Sequence, residues 1–241
     1  MEIDMKDTMF SRTERMLGSR ALYTMKQATV AVFGLGGVGS YAVEALARSG
    51  VGGLILVDAD KVSESNINRQ LIADHSTVGK EKTAVCAERI ALISPECRVQ
   101  THTLFCDAAT DFSFLDGCSY VIDAIDTVSA KLSLIEHCIS HLIPVISAMG
   151  AGNKIDPSQL RVADLAETKV CPLCRIMRKE LRARGIEHLK VVYSEEEPFA
   201  LPEGRGENGK TVPGSMIFVP ASMGLLLAKE AVCDLIKGEK A

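Results

Sequence analysis

The sequence predicts an α/β fold in which helices flank a mostly parallel β-sheet. Short apolar runs rich in β-forming residues alternate with helical stretches of about 10–15 residues, the order typical of βαβ units. The length of 241 residues matches one large α/β domain. With 47% hydrophobic and 24% charged residues, the composition excludes the disordered and fibrous classes.

The first part of the chain has a regular order of elements. An amphipathic helix is predicted at 10–27, ahead of the first strand. Strands are predicted at 28–33, 54–57, 98–104, 120–124 and 144–147. The helices between them are predicted at 38–48, 80–93 and 128–140.

The last part of the chain is less regular. Strands are predicted at 189–193 and 215–219, and a closing helix at 221–237. Glycine, proline and acidic residues dominate 195–213, which predicts a flexible loop. We therefore expect the C-terminal part to add further strands to a single domain, 1–241.

Charge and the termini narrow the classes of function. A net charge of −4 and a pI near 5.8 disfavour general coating of nucleic acid but allow a local basic patch. The acidic N-terminus lacks the apolar stretch of a secretory signal, and no run approaches the ~18–20 apolar residues of a membrane helix. Eight scattered cysteines indicate reduced thiols. We therefore expect a cytoplasmic protein without a membrane partner.

A glycine-rich loop follows the first strand and opens a helix. Its glycines are Gly34, Gly36, Gly37 and Gly39. Such a loop lets phosphate approach the helix N-terminus, and Asp58, at the end of the second strand, can accept ribose hydroxyls. The pattern indicates a Rossmann-like nucleotide site, although a tight strand–helix turn without a ligand remains the alternative.

The polar residues beyond the loop favour a triphosphate over NAD. Asp58 is followed by Asp60 and by the dense polar block 63–70, and no Tyr-x-x-x-Lys pair accompanies any tyrosine. Lys82 and Asp126 lie near later boundaries, where side chains reach the crevice of the sheet. Cations around a triphosphate, with a carboxylate for Mg²⁺, are the parts of a nucleotidyl-transfer site.

These motifs resemble the ATP site of the ubiquitin-activating-type adenylating enzymes, which include activators of molybdopterin and thiamine sulfur carriers. The matching pieces are GLGGVGS, DAD, SNINRQ, GKEKT and AIDT, in order within 12–150. The resemblance implies an adenylation fold with a nucleotide-binding half, 28–150, and a substrate-side half, 151–241. The ATP-binding residues it implies are Gly34, Gly36, Gly37, Gly39, Asp58, Asp60, Asn66, Arg69, Gln70 and Lys82.

The resemblance also implies roles for catalytic groups. Arg69 and Lys82 would contact phosphates, Asp126 would bind Mg²⁺, and an arginine of the N-terminal helix would reach across a homodimer. Arg15 is the candidate for that arginine, with Arg12 as the second choice. Three alternatives stay open: a surface pair of Arg69 with Asp74, a solvated Lys82, and an Asp126 that only caps the following helix.

The cysteine pattern argues against structural zinc. Members that activate a sulfur carrier usually hold zinc with two Cys-x-x-Cys pairs, whereas this chain has one, Cys171 and Cys174. A closed zinc site needs four ligands, so zinc is not expected. The pair is interpreted as ordinary residues at a helix start, with redox activity as the alternative.

The second half resembles one branch of the superfamily, the tRNA threonylcarbamoyladenosine dehydratases. The pieces that carry this resemblance are 151–168, 172–186, 191–198 and 213–224. Cys174, where the branch commonly has a small residue, and the short loop at 199–212 depart from the pattern. The resemblance implies ATP-dependent cyclisation of N6-threonylcarbamoyladenosine at position 37 of tRNA through an acyl-adenylate.

A basic helix supports a polyanionic substrate. Five basic residues and one acid lie between Cys174 and Gly185. Three of them recur at helical spacing, and an electrostatic footprint for tRNA is predicted at Arg175, Arg178, Lys179 and Arg182. A solvated helix face is the alternative, and no aromatic residue is interleaved to stack on bases.

Two other functions remain open from the sequence. The first is adenylation of the C-terminal carboxylate of a ubiquitin-like sulfur carrier, and the second is an NAD-dependent oxidoreductase. The sequence also leaves open whether cysteine-desulfurase or sulfur-acceptor proteins are partners. The predicted cofactors are ATP and Mg²⁺, and the predicted partners are modified tRNA and a second copy of the chain.

Overall fold

The computed structural model describes residues 8–200 and 213–237, and these contain one seven-stranded sheet. Its spatial order is β3-β2-β1-β4-β5-β7-β6, and only the β6–β7 pair is antiparallel. The strands are β1 (Thr29–Phe33), β2 (Gly53–Val57), β3 (Arg98–His102), β4 (Tyr120–Asp123), β5 (Val145–Ala148), β6 (Leu160–Asp164) and β7 (Lys190–Ser194). The predicted mostly parallel α/β sheet is confirmed.

Helices cover both faces of the sheet. They are α1 (Ser11–Leu17), α2 (Ser19–Gln27), α3 (Gly39–Ser49), α4 (Lys82–Ile93), α5 (Val128–Ser140), α6 (Pro172–Arg182) and α7 (Phe218–Leu235). Side chains alternate across β1, so that Val30 and Val32 pack with α3, α4 and α7, whereas Ala31 and Phe33 pack with α5 and α6. The central strands are therefore buried on both faces, which explains their continuous apolar runs.

The structure differs from the sequence prediction at three elements. The helix predicted at 10–27 is divided at Gly18, whose φ of 84° suits glycine. Strand β6 is not among the predicted strands, because it is an edge strand with exposed polar residues. The strand predicted at 215–219 is wrong, since α7 begins at Phe218 and holds Pro220 in its first turn, where no N–H is needed.

The chain order reverses between β1 and β4, and this reversal positions the site. Strands β2 and β3 lie on one side of β1, and β4 and β5 lie on the other. The carboxyl ends of the parallel strands point to the same edge, where ligands of open α/β sheets bind. Of the predicted loop 195–213, residues 201–212 lie outside the described residues.

Candidate active site

A cavity of about 1030 Å³ opens at the carboxyl ends of β1, β2, β4 and β5. Its walls include all of the predicted ATP-binding residues except Gly39, and they also include Asp126. Gly39 is buried beneath the loop at the start of α3. The structure therefore brings residues from five separate sequence motifs to one crevice.

Close backbone packing explains two glycines of the loop. Gly34 has a φ of +81°, and a Cβ there would lie 2.6 Å from the Ala124 carbonyl oxygen. At Gly39 a Cβ would lie 1.7 Å from the carbonyl oxygen of Gly34. Any larger residue would force the loop away from β4, so the glycines fix the floor of the cavity.

Asp58 joins the glycine loop to the end of β2. Its carboxylate accepts hydrogen bonds from the N–H of Leu35 at 2.6 Å and the N–H of Asp60 at 2.8 Å. Burial raises the pKa of Asp58, while Lys82 and the two N–H groups act to lower it. The carboxylate thus lies in the cavity wall with hydrogen-bonding capacity left for a ligand hydroxyl.

Lys82 lies at the start of α4 and is 4% exposed. Its Nζ is 2.8 Å from Asp60 Oδ2 and 3.8 Å from Asp58 Oδ1. The alternative of a solvated helix lysine is therefore wrong. The two carboxylates hold the ammonium group at the cavity wall, where it can contact phosphate oxygens.

The segment after β2 presents amide and guanidinium groups to the cavity. Asn66 closes a capping box with Ser63, which fixes the turn. Arg69 donates to the Ser65 carbonyl and to Asn68 Oδ1, both at 2.9 Å. The Asp74 carboxylate instead accepts bonds from Ser76 and Thr77, so the proposed Arg69–Asp74 surface pair is wrong.

Gln70 carries a buried acceptor that lines the cavity. The residue is 7% exposed, and its Oε1 atom has no hydrogen-bond partner among the described residues. A buried amide oxygen without a partner costs about 1–3 kcal/mol. A donor group on a bound ligand would remove that cost.

Asp126 lines the cavity as an exposed carboxylate just past β4. It accepts a 3.3 Å bond from the Thr127 hydroxyl, and α5 has no side-chain cap, so the capping alternative is wrong. No group of three or more His, Cys, Asp or Glu residues that could hold a metal occurs in 8–200 or 213–237. Mg²⁺ nevertheless needs only one or two carboxylates when phosphates and water complete its shell, so Asp126 fits that ion.

A second, fully buried ion pair lies beside Asp126, and sequence reasoning missed it. Lys131 Nζ is 2.9 Å from Asp123 Oδ2, and both side chains are 0% exposed. Ser147 donates to the same Asp123 oxygen at 2.6 Å, and Lys131 also donates to the Ile125 carbonyl at 3.0 Å. In the sequence, an acid ends an apolar strand and a lysine follows in the next helix. This pattern is a signal that could have indicated the pair.

The cavity continues to the end of β5, where the sequence predicted no ATP-binding or catalytic residue. Gly150, Asn153, Lys154 and Cys171 line this end. Lys154 is 4% exposed and donates to the Ser194 carbonyl at 3.1 Å. Cys171 precedes α6 and Cys174 lies in its first turn, and all eight cysteines are free thiols.

The arginines of the N-terminal helix lie away from this cavity. Arg12 and Arg15 are exposed on α1, and neither lines the cavity of its own chain. That one of them acts at the nucleotide of a second copy of the chain stays a prediction.

The structure corrects the predicted tRNA footprint at one position. Arg178 is partly buried and donates to the carbonyls of Leu165 and Thr168 at 2.9 and 2.6 Å, and also to the Thr168 hydroxyl. Its guanidinium thus anchors α6 to the preceding turn and is not free for phosphate. The exposed basic residues of α6 that form no ion pair within the described chain are Arg175, Lys179 and Arg182.

Comparisons with known proteins identify relatives of this chain. The model of the ThiF family matches residues 10–239. The chain is 45% identical to tRNA threonylcarbamoyladenosine dehydratase of Bacillus subtilis over 240 residues, covering 95% of this chain and 94% of the relative.

Solved structures of an Escherichia coli enzyme are also similar. Its tRNA N6-threonylcarbamoyladenosine dehydratase in complex with ATP superposes with a TM-score of 0.86 at 37% identity, covering 95% of this chain and 94% of the other. The AMP complex gives a TM-score of 0.88 at 36% identity, covering 98% of each chain.

Within the described residues, no helix is long and apolar enough to cross a membrane.

Proposed function

This chain belongs to the ThiF family, and from that premise we infer that it catalyses the ATP-dependent dehydration of N6-threonylcarbamoyladenosine in tRNA. One observation carries this inference: the cavity formed by the ATP-motif residues lies in a chain that resembles the dehydratases through both halves. A likeness confined to the nucleotide half would support any adenylating enzyme of the family.

ATP binds with its ribose at Asp58 and its phosphates toward the glycine loop and Asp126. The Asp58 carboxylate can accept ribose hydroxyls while it holds the N–H of Leu35. Lys82 and Arg69 supply positive charge, and Lys82 is held in place by Asp60. These groups stabilise the charge that develops on the phosphates during transfer.

The substrate carboxylate attacks the α-phosphorus of ATP, and the bond to pyrophosphate breaks. A nitrogen of the same threonylcarbamoyl group then attacks the activated carbonyl, loses its proton, and displaces AMP. The net result is a ring and the loss of one water from the nucleoside. Because the nucleophile belongs to the substrate, the protein supplies mainly proximity and charge stabilisation.

Asp126 is the residue placed to hold Mg²⁺ against the phosphates. A bound Mg²⁺ would polarise the phosphoryl oxygens and offset their charge. The exposed carboxylate at the end of β4 leaves room for the water ligands that Mg²⁺ retains.

The active form is a homodimer in which Arg15 serves the neighbouring cavity. Its exposure on α1, away from the cavity of its own chain, supports this assignment. The tRNA lies along Arg175, Lys179 and Arg182, which share one helix face at spacings of four and three. A tRNA substrate places the reaction in the cytoplasm.

The test is a reaction of the purified protein with ATP, Mg²⁺ and tRNA that carries threonylcarbamoyladenosine. The nucleoside should lose the mass of one water, with pyrophosphate released. Matched reactions use tRNA without the threonylcarbamoyl group and the Lys82→Met protein, and both should give no product. Pyrophosphate release that requires a carrier protein and not tRNA would instead support sulfur-carrier adenylation.

A further inference from the structure

The two ends of the cavity are separated by three spacings between neighbouring strands. Asp58 follows β2, and Gly150 follows β5, three strand positions away in the sheet. With neighbouring strands about 4.8 Å apart, this separation is roughly 14 Å. When ribose lies at Asp58 and the α-phosphate lies over the glycine loop, an acyl group bonded to that phosphate can extend along the cavity toward the β5 end.

Cys171 presents its sulfur at that end of the cavity. A Cβ built on Gly150 would lie 3.7 Å from Cys171 Sγ, which places the sulfur over the end of β5. The residue is 3% exposed and lines the cavity.

The backbone that delivers Cys171 is strained. Val170, just before it, has a φ of 64°, a left-handed conformation that a β-branched residue rarely adopts. Such a conformation is unfavourable and is found where the surrounding structure imposes it, often at functional sites. Here it turns the chain into α6 with the sulfur facing the cavity.

The surroundings favour the thiolate form of Cys171. Interaction with the Cys174 thiol lowers the pKa of Cys171, and the nearby N–H groups of Cys174 and Gly150 and the Lys154 ammonium act in the same direction against burial. Cys106 lines the same cavity but lacks such neighbours, and burial raises its pKa to about 11. The cavity therefore holds two cysteines of opposite character.

We propose that Cys171 is the catalytic base for ring closure, a step that rests on the proposed function. As the substrate nitrogen bonds to the activated carbonyl carbon, its N–H proton moves to Cys171 Sγ. The bond between that carbon and the AMP oxygen breaks, and AMP leaves with the electron pair. The thiol then returns the proton to water.

The other ionisable groups in the described cavity walls are unsuited to this role. Asp58 and Asp60 follow β2, at the end of the cavity assigned to ribose, and Asp126 follows β4, where it is assigned to Mg²⁺. Lys154 lies beside Cys171, but its Nζ donates to the Ser194 carbonyl. Cys171 is thus the group at the β5 end of the described cavity walls that can accept the proton.

Single-turnover reactions with modified tRNA separate this step from adenylation. Pyrophosphate release and loss of water are followed together for wild type, Cys171→Ala, Cys171→Ser and Cys171→Asp. The matched control is Cys138→Ala, which removes a thiol that is buried in the core away from the cavity. The thermal midpoint of each protein shows whether it is folded.

In Cys171→Ala and Cys171→Ser, pyrophosphate release should persist, while ring closure slows by at least about 100-fold, the usual contribution of a general base. Cys171→Asp should recover at least about tenfold of that loss, because a carboxylate can accept the proton. Cys138→Ala should match wild type. The serine variant keeps the size of the side chain and decides the question if the alanine variant does not fold.

Three results would overturn the proposal. Ring closure at the wild-type rate in the serine variant would remove Cys171 from the step. Equal loss of pyrophosphate release would make it a substrate-positioning residue. A hydroxylamine-sensitive acyl adduct on Cys171 of the wild-type protein, together with an inactive Cys171→Asp protein, would make Cys171 a nucleophile. Failure of wild type itself to cyclise the substrate would instead refute the proposed function.

Discussion

Two lysine–aspartate clusters lie at the ends of β2 and β4, the strands on either side of β1, and they differ in what completes them. In the closed cluster, Asp123 and Lys131 are 0% exposed, and Ser147 and the Ile125 backbone supply further hydrogen bonds. In the open cluster, Asp58, Asp60 and Lys82 line the cavity, and the Asp60 side chain is 70% exposed.

The difference separates structural charge from functional charge. Buried charges persist only when they are paired and hydrogen-bonded, and the closed cluster meets that requirement within the chain. The open cluster keeps bonding capacity directed at the cavity, where ATP phosphates and ribose can use it. The same residue types therefore hold the sheet together at one strand end and bind substrate at another.

Replacing each lysine is the sharpest test of this comparison. Lys131→Met leaves Asp123 as a buried unpaired charge and should lower the free energy of unfolding by about 3–5 kcal/mol. Lys82→Met should cost less stability than that, because Asp60 is exposed to water and the Asp58 carboxylate keeps two backbone N–H bonds, yet it should abolish ATP binding. Denaturant unfolding measures the loss of stability in each variant, and calorimetric titration measures ATP binding. Equal losses of stability in the two variants would contradict the distinction between the two clusters.

Asp126→Ala should reduce pyrophosphate release by at least about 100-fold without changing the thermal midpoint. The reason is that the triphosphate loses the carboxylate that holds its Mg²⁺. Asp116→Ala is the matched control, since Asp116 is an exposed acid ahead of the amino end of β4. Wild-type release by the Asp126→Ala protein, with Mg²⁺ present, would exclude Asp126 as the metal ligand.

The open cluster is expected to be completed by Arg15 of a second chain. An Arg15→Ala protein and an Asp126→Ala protein should each be inactive. Mixed in equal amounts under exchange conditions, they should regenerate up to about a quarter of the active sites, because half of the dimers are then mixed and each holds one intact site. Absence of any recovery, with exchange verified, would place Arg15 in its own chain's site or outside the reaction.

The contrast between closed and open charges recurs on α6. The Arg178 guanidinium donates hydrogen bonds to the carbonyls of Leu165 and Thr168, whereas Arg175 and Arg182 are exposed. Reversal of both exposed charges should weaken tRNA binding and lower the log–log salt slope by about two, one per lost phosphate contact. ATP affinity should not change.

The control for this effect is Arg98→Glu with Lys229→Glu, which reverses two exposed charges outside α6 and outside the described cavity walls. Filter binding at two salt concentrations gives the slopes. An unaltered slope in the Arg175 and Arg182 variant would remove tRNA from this helix.

The sequence predicted the parallel sheet and the position of its crevice because apolar runs and glycine loops are local signals. Strand β6 was missed because an edge strand needs little apolar surface. The false strand at 215–219 shows that a β-branched run cannot be separated from a helix start by pattern alone.

Charged residues were harder to predict because their partners are distant in sequence. Asp123 and Asp126 lie only three positions apart in the sequence. Asp123 is the last residue of β4 and is buried, whereas Asp126 lies beyond the strand and lines the cavity. Likewise, helical spacing put Arg178 with Arg175 and Arg182, but the carbonyls that accept its hydrogen bonds belong to the turn before α6, 13 and 10 residues earlier in the chain. Cys171 depends on the approach of α6 to β5, which no local pattern encodes.

The central claim is that the substrate carboxylate attacks the α-phosphorus of ATP in this cavity. Labelling that carboxylate with ¹⁸O in the modified tRNA tests the claim directly, by mass spectrometry of the nucleotide product after one turnover. The account predicts that AMP carries one ¹⁸O atom, since AMP leaves with the oxygen that the carboxylate contributed. Unlabelled AMP, or ADP with the label in inorganic phosphate, would contradict it.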